Sequence, residues 1–254
     1  MNQQNAFEPE KNAQPGVKHV IAVMSGKGGV GKSSVTALLA VGSHREGYQT
    51  GILDADITGP SIPKMFGLKA GTFTGANGLL PLETAAGIKV MSLNLLLPNE
   101  DDPVIWRGPL IGATVKQFWE EVDWGDLDYL FIDLPPGTAD APLTVMQSIP
   151  LDGLVIVTSP QELTLMVVRK AVKMARKMEI PVLGLVENMS GLLCPHCSRK
   201  IEIFGPSKGR EVAEEAGVPF LASLPLDQRL AEYCDEGRIE EYETDLFKTL
   251  LAKN

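Results

Sequence analysis

A glycine-rich segment at residues 26–33, GKGGVGKS, has the spacing of a phosphate-binding loop, G-x-x-x-x-G-K-[ST]. It follows an apolar strand pattern and precedes a helical pattern, which is the context that the motif requires. Gly28, Gly29 and Gly31 allow backbone conformations in which successive N–H groups face phosphate oxygens. The helix N-terminus behind the loop adds the positive end of a dipole. The segment therefore predicts binding of ATP or another nucleoside triphosphate with Mg²⁺.

Side chains at the end of this loop have the chemistry to contact phosphate or magnesium. Lys32 is predicted to reach the β- and γ-phosphates, Ser33 to ligate Mg²⁺, and Ser34 to contact the α-phosphate. The rest of the loop completes the predicted nucleotide site: Gly26, Lys27, Gly28, Gly29, Val30 and Gly31.

Two acidic clusters follow apolar strand patterns, DAD at 54–56 and DLPPGTAD at 133–140. Ligands of open α/β sheets bind at the carboxyl ends of strands, and Mg²⁺ keeps several waters, so one or two carboxylates suffice. We expect Asp133 to hold magnesium through water and Asp54 to support the magnesium waters. Asp56 is predicted to be catalytic by orienting or polarising the attacking water. Lys32 and Lys27 in the phosphate loop are the other catalytic candidates.

Asn188 follows another apolar strand pattern, VLGLVE. Its amide can both donate to and accept from the edge of a base, which makes it a candidate for contacting adenine. A role in a turn fits the same position equally well.

The cysteines form one close pair, Cys194 and Cys197 in CPHC, and one separate residue, Cys234. A redox C-x-x-C usually opens a helix in a smaller βαβ domain, whereas this pair lies in a loop after a strand pattern. Structural zinc and iron–sulfur clusters each need four ligands, so one chain offers half of a site for either. Two such loops meeting across a two-fold axis would supply four thiolates. The chemistry alone leaves Zn²⁺ and a cluster both open, and it gives Cys234 no role.

The elements that must position these residues alternate between strand and helix. Strands are predicted at 19–25, 50–54, 88–93, 129–133, 153–158, 182–187 and 220–224. Helices are predicted at 32–46, 110–122, 162–178, 207–216 and near 240–251. This order indicates an α/β fold, a mostly parallel sheet of about seven or more strands with helices on both faces. The stretch 60–87, rich in Gly, Pro and Thr, is expected to form a long excursion at the edge of the sheet.

Composition excludes several classes of function. The 254 residues are 44% hydrophobic, and the net charge of −9 gives no general attraction to nucleic acid or anionic lipid. No apolar run reaches the roughly 18 residues of a membrane-spanning helix. Three cysteines without a signal sequence favour a reducing cytoplasm. Residues 1–17 are polar and are expected to form a flexible tail before one domain at 18–254.

Longer segments make the chain resemble the Mrp/ApbC family of P-loop ATPases, which are iron–sulfur cluster carriers of the MinD/ParA-like class. They are GKGGVGKSS, DADITGPS, IWRGP at 105–109, WGDLDYLFIDLPPGTADAPLT, VTSPQE at 157–162, VENMSGLLCPHC, EIFG at 202–205 and LPLD at 224–227. The resemblance covers nearly all of the chain beyond residue 17, and DLPPGT and ENMS followed by CPHC are its most specific parts.

The resemblance implies slow ATP hydrolysis, a homodimer, and exchange of clusters with donor and acceptor apoproteins. Lys27 matches the signature lysine of the deviant Walker A class, which crosses the dimer interface to the partner's phosphates. The resemblance also implies a [4Fe–4S] cluster bridged by Cys194 and Cys197 of both subunits. Since the N-terminus lacks the extra cysteine cluster of eukaryotic cytosolic relatives, no second permanent cluster is expected. We likewise expect no counterpart of the small N-terminal domain that many bacterial members carry.

A spatial-organiser ATPase of the MinD/ParA type, with structural zinc at the C-x-x-C, is the alternative. Such a protein needs a surface that attaches to DNA or membrane. The C-terminal segment RIEEYETDLFKTLLAKN carries four acidic and three basic residues, so we expect it to avoid anionic lipid. Tyr242, Leu246 and Leu250 are predicted to be core contacts.

Overall fold

The computed structural model describes residues 14–56, 59, 61–69, 71, 73–75, 78–96, 108–160, 164–194, 196–197 and 199–253. Its strands are β1 (Val17–Ser25), β2 (Thr50–Asp54), β3 (Phe73–Gly75), β4 (Gly78–Leu80), β5 (Leu82–Glu83), β6 (Lys89–Ser92), β7 (Leu127–Asp133), β8 (Gly153–Thr158), β9 (Val182–Glu187), β10 (Leu192–Leu193), β11 (Lys200–Ile201) and β12 (Phe220–Ser223). Its α-helices are α1 (Lys32–Arg45), α2 (Ile62–Met65), α3 (Gly108–Glu121), α4 (Asp140–Ser148), α5 (Thr164–Lys177), α6 (Gly209–Ala216), α7 (Gln228–Asp235) and α8 (Leu246–Lys253). Two short 3₁₀ turns lie at Leu93–Leu96 and Ile239–Glu241.

An eight-stranded sheet forms the centre of the fold, in the order β12-β9-β8-β1-β7-β2-β6-β5. Its neighbouring strands are parallel except for β5 and β6, which are antiparallel. The mostly parallel sheet predicted from the alternating pattern is confirmed. Strand β1 lies between β7 and β8, and the register pairs Asp54 at the end of β2 with Asp133 at the end of β7.

Helices cover both faces of this sheet, as predicted, because its strands are apolar on both sides. One core layer contains buried residues of α3, α4, α5 and α6, among them Phe118, Val145, Val168 and Val212. The other contains residues of α1, α2 and α8, among them Leu38, Ile62 and Phe247. An apolar stripe along α5 faces the first layer, with Val168, Val172 and Ala175 buried and Leu165 packed against it.

The excursion before β6 contains short elements. Helix α2 is followed by the antiparallel hairpin of β3 and β4, and β5 then pairs with β6 to form the edge of the sheet. The stretch therefore ends at the sheet's edge, as expected, although Pro60 lies outside the described residues.

The folded part of the chain includes residues that were assigned to the N-terminal tail. Gln14 Nε2 donates to the carbonyls of Trp119 (2.8 Å) and Val122 (3.0 Å), and Val17 already pairs with Leu127. Gln14 caps the exposed carbonyls at the end of α3, so residues 14–17 are positioned by tertiary contacts. Residues 1–13 lie outside the described part.

Three helices were not predicted from the sequence, namely α2, α4 and α7. Helix α4 begins at Asp140, the last residue of the acidic cluster DLPPGTAD. Helix α7 has no fully buried residue, and Leu230 and Cys234 are only partly buried where they pack against the core. Asp227 caps α7 by accepting a hydrogen bond from the Arg229 backbone at 2.8 Å.

Candidate nucleotide and thiol sites

The glycine-rich loop connects the end of β1 to the start of α1. Gly29 and Gly31 have φ of +78° and +77°, a left-handed conformation that glycine adopts without strain. A Cβ placed on Gly31 would lie 2.2 Å from Asn188 Nδ2, and one on Gly26 would lie 1.6 Å from a methyl carbon of Val167. The loop is therefore packed tightly between α5 and the end of β9. Its backbone conformation also requires glycine at positions 29 and 31.

Lys32 points into the acidic cluster predicted from the sequence. Its side chain is 5% exposed, and Nζ lies 2.7 Å from Asp133 Oδ1 and 3.5 Å from Asp56 Oδ2. The same Nζ lies 3.4 Å from Ser33 Oγ. The structure thus brings Asp56 and Asp133, which are distant in sequence, next to Lys32 and Ser33 in the first turn of α1.

Asp133 is fully buried and contacts hydroxyl groups on α1. Ser33 Oγ donates to Asp133 Oδ2 at 2.5 Å, and Thr36 Oγ1 lies 2.8 Å from Asp133 Oδ1. Thr36 is one turn after Lys32, where its hydroxyl also lies 3.1 Å from the Lys32 carbonyl. Sequence reasoning missed Thr36, because a threonine in a helix interior carries no motif of its own.

Asp54 is buried beside Asp133, as the pairing of β2 and β7 requires. Burial and then the negative charge of Asp133 raise the pKa of Asp54 to about 8. The Asp56 backbone N–H donates to Asp54 Oδ1 (3.1 Å), and Ser92 Oγ donates to Oδ2 (3.2 Å). Ser92 was also not predicted; its only sequence signal is its position at the end of β6.

These groups fit a magnesium ion. The carboxylates of Asp56 and Asp133 face a single buried lysine, Lys32, which leaves an excess of negative charge in a place of low exposure, and this charge helps to keep Asp54 protonated. A divalent cation balances such an excess, and hydroxyl and carboxylate oxygens are the hard ligands that Mg²⁺ prefers. Ser33 Oγ and Asp133 are the groups that would hold it.

Asn188 contacts the phosphate loop directly. Its side chain is 6% exposed, and Nδ2 donates to the Val30 carbonyl at 3.0 Å. Its backbone N–H donates to the Thr158 carbonyl at 2.8 Å. This contact with the loop was not foreseen, and the predicted contact with adenine stays a prediction.

The C-x-x-C pair lies in the connection between β10 and β11, which form an antiparallel hairpin. Cys197 is exposed and Cys194 is half-buried. Hydrogen bonds from the backbone of His196, and then from Cys197, lower the pKa of the Cys194 thiol. Throughout the described ranges, no third histidine, cysteine or acidic side chain joins these thiols in a metal-binding group.

Cys234 lies on α7, where its neighbours differ from those of the pair. Burial, and then the charge of Asp235, raise the pKa of its thiol, while a hydrogen bond with the Ser34 hydroxyl lowers it. Cys234 therefore packs beside the phosphate loop's helix.

None of the helices that the structure describes combines the length and the apolar character needed to cross a membrane.

Comparisons with known proteins agree with this arrangement. The family model for ParA, described as NUBPL iron-transfer P-loop NTPase, matches residues 16–252. The iron–sulfur cluster carrier protein of Methanocaldococcus jannaschii is 49% identical over 223 residues, which cover 87% of this chain and 77% of that protein. The carrier of the same name from Clostridium perfringens is 47% identical over 234 residues, covering 89% and 82%.

Solved structures show the same similarity. A nucleotide-binding protein from Archaeoglobus fulgidus, in complex with ADP and with cobalt found in it, has a TM-score of 0.84 and 48% identity and covers 94% of each chain. The septum site-determining protein MinD of Pyrococcus horikoshii, complexed with Mg-ADP, has a TM-score of 0.61 at 22% identity, covering 93% and 94%, and shares the fold. The resemblance stated from the sequence motifs is confirmed, and the chain belongs to the ParA-type family of iron-transfer P-loop NTPases.

Proposed function

We propose that this protein is an ATP-hydrolysing carrier that assembles a [4Fe–4S] cluster between two copies of itself and transfers it to acceptor apoproteins. The observation that carries the proposal is the pairing of a complete phosphate-loop site with a half site of two thiols. Cluster carriers nearly half identical to this chain support it. We place this activity in the cytoplasm, where thiols stay reduced.

The nucleotide half of the mechanism uses the residues around α1. The backbone of residues 26–31 and the dipole of α1 bind the phosphates, and Lys32 reaches the β- and γ-phosphates. Bound magnesium would neutralise developing charge on the phosphate oxygens. Asp54 supports the waters around the magnesium, and Asp56 orients the attacking water.

The thiol half requires a second copy of the chain. Two thiols supply half of the four ligands that a cluster needs, and the exposed position of Cys197 leaves it accessible to a partner. Lys27 is exposed in the phosphate loop, where it can reach the partner's phosphates. Binding of ATP and formation of the dimer are then one event. Donor and acceptor apoproteins exchange the cluster at the exposed thiol loop.

Anaerobic reconstitution with iron and sulfide tests the thiol half. We expect about two iron and two sulfide per chain, one [4Fe–4S] cluster for two chains. The double variant Cys194→Ser/Cys197→Ser should bind none, whereas the matched control Cys234→Ser should bind as much as the parent. Zinc in place of iron in protein prepared without air, or full loading of the double variant, would overturn the proposal.

Hydrolysis is tested separately on the same preparations. We expect turnover well below the typical enzyme value of about 10 s⁻¹, because no activating partner is present. Asp56→Asn should bind nucleotide and lose turnover, while Lys32→Ala should lose both. Fast turnover by the isolated chain would contradict the proposed slow hydrolysis. Unchanged turnover in Asp56→Asn would show that Asp56 does not take part in the hydrolysis step.

The spatial-organiser alternative has less support. It needs an apolar or basic surface for membrane or DNA, and the C-terminal helix was the candidate. In α8, Leu246 and Leu250 are 3% and 2% exposed, so these two positions face the core as predicted. Sedimentation with anionic liposomes in the presence of ATP would revive this alternative.

A further inference from the structure

A short segment, Asn188 to Ser190, joins the phosphate loop to the thiol hairpin. At one end, Asn188 Nδ2 donates to the Val30 carbonyl at 3.0 Å, across 158 residues of sequence. At the other end, Cys194 comes only six residues after Asn188. The segment is thus in contact with one site and covalently continuous with the other.

The contact with the loop is close and buried. A Cβ on Gly31 would lie 2.2 Å from Asn188 Nδ2 and 3.5 Å from Met189 Cε. Since the loop backbone has no spare space on this side, a shift of Val30 or Gly31 when phosphate binds must be followed by Asn188 and Met189. Packed interiors transmit such shifts, because they are not freely compressible.

Met189 has φ +59°, in the left-handed region that non-glycine residues seldom occupy. A residue held there costs on the order of 1–3 kcal/mol and persists only where its surroundings enforce it. The strained residue therefore lies between the two sites.

Beyond Met189, hydrogen bonds carry the connection to the thiols. The Ser190 N–H donates to the Leu224 carbonyl at 2.9 Å, and the Leu226 N–H donates to the Gly191 carbonyl at 2.7 Å. The Cys194 N–H donates to the Arg199 carbonyl at 2.9 Å, which closes the hairpin. No free stretch of chain separates Asn188 from Cys194 that could absorb a displacement.

Glu187 holds the segment that follows the β10–β11 hairpin, at Ser207 and Lys208. This buried carboxylate accepts from the Lys208 N–H at 3.0 Å and from the Ser223 hydroxyl at 3.2 Å, and it also accepts from the Ser207 hydroxyl. Glu187 therefore holds Ser207 and Lys208, which follow the hairpin, next to the residue that precedes Asn188.

We propose that Asn188 is a positioning residue that couples the phosphate loop to Cys194 and Cys197, so that nucleotide in the loop changes the reactivity of the two thiols. The inference rests on the proposed function only in taking Cys194 and Cys197 as the working thiols. It requires neither iron nor hydrolysis.

Thiol labelling of the full chain, prepared without metal in a Cys234→Ser background, tests this coupling. The rate of reaction with an aromatic disulfide reagent is measured with and without saturating Mg-ADP, and with a non-hydrolysable ATP analogue. We expect nucleotide to change the rate by roughly fivefold or more, the lower end of typical coupling between sites. No change in the parent, with nucleotide binding confirmed by calorimetry, would overturn the proposal.

Asn188→Ala should remove the effect of nucleotide on labelling, even at concentrations raised to saturate the variant. A residue that only bound the base would show weaker affinity and an unchanged effect at saturation. A residue that only stabilised the fold would shift both labelling rates together and keep their ratio. Asn94→Ala, a half-buried asparagine in the turn after β6, is the matched control and should behave as the parent.

Met189→Gly provides a second test that does not threaten folding, because glycine adopts φ +59° without strain. It also removes the side chain that packs near Gly31, and we expect it to reduce the nucleotide effect. A parent-like ratio in both variants would overturn the proposal and assign the effect to contact between copies. Iron loading, measured separately as above, tests the proposed function without bearing on this result.

Discussion

At the scale of single residues, Gly31 combines a left-handed backbone with a full environment. Alanine at φ +77° is strained by about 1–2 kcal/mol, and here its Cβ would also overlap the Asn188 amide. Gly47 also has a left-handed backbone, at φ +89°, but nothing lies within 4 Å of a Cβ placed on it, so alanine there would be strained without overlapping a neighbour. We predict that Gly31→Ala lowers the free energy of unfolding by at least about 1 kcal/mol more than Gly47→Ala, the lower range for overpacking. Urea denaturation without nucleotide measures both; equal losses would contradict the packing argument.

Tyr242 provides a pH-dependent prediction. Burial, and then a 2.9 Å hydrogen bond to Asp227, raise the pKa of Tyr242 to about 12 from an ordinary value of 10.0. Because the folded pKa is the higher one, the associated stability is fully present below pH 10 and is lost as pH rises through 12.

Tyr242→Phe should therefore be less stable than the parent at neutral pH, by about 1 kcal/mol for the lost hydrogen bond. The difference between the two proteins should shrink between pH 10 and 12, since only the parent has this group to ionise. Denaturation midpoints along a pH series follow the difference, and other lysines and tyrosines affect both proteins equally. A gap that stays constant to pH 12 would show that Tyr242 does not titrate as described.

At the scale of elements, an aromatic cluster contributes to the packing of α8 against the sheet. Phe247 is fully buried, and its ring lies 5.0 Å from that of Tyr129 and 5.6 Å from that of Tyr48. We predict that Phe247→Ala costs about 3–5 kcal/mol of stability. Leu251→Ala, on the same helix but 41% exposed, should stay within about 0.5 kcal/mol of the parent. Urea denaturation compares them, and similar losses would mean that α8 is held by something other than its buried face.

The elements also show what the sequence could and could not predict. Strands β2, β8 and β9 match the predicted bounds because uninterrupted apolar runs end at clear polar residues. Asp133 and Lys32 were predicted to share a site because a motif and a strand end each identify one of them. The contact between Asn188 and Val30 was not predictable, since it depends on β9 and the loop meeting across the sheet. Thr36 and Ser92 were missed for the same reason: their roles arise from neighbours that only the fold supplies.

At the scale of the whole molecule, the nucleotide site touches both halves of the sheet. The loop follows β1, Asp133 ends β7 on one side, and Asn188 follows β9 on the other. A ligand here should stabilise the entire fold, by about 2.7 kcal/mol at a concentration of 100 times its Kd.

We therefore predict that Mg-ADP raises the midpoint of the main thermal transition, and that Lys32→Ala removes this increase. Leu251→Ala, far from the site in sequence and exposed, should retain it in full. Differential scanning fluorimetry over a series of nucleotide concentrations provides the measurement. Stabilisation of a minor early transition alone would show that the loop unfolds separately from the sheet.

The position of β1 in the sheet has a consequence for synthesis of the chain. Its two hydrogen-bonding partners begin at Leu127 and Gly153, so β1 has no neighbouring strand until β7 has been synthesised, and only one until β8 follows. At 5–20 residues per second, β1 waits on the order of ten seconds between its own synthesis and the completion of β8. During that interval this apolar strand has at least one edge open. Nascent chains of this protein are thus expected to depend on cotranslational chaperones, and the phosphate loop forms only once most of the chain exists.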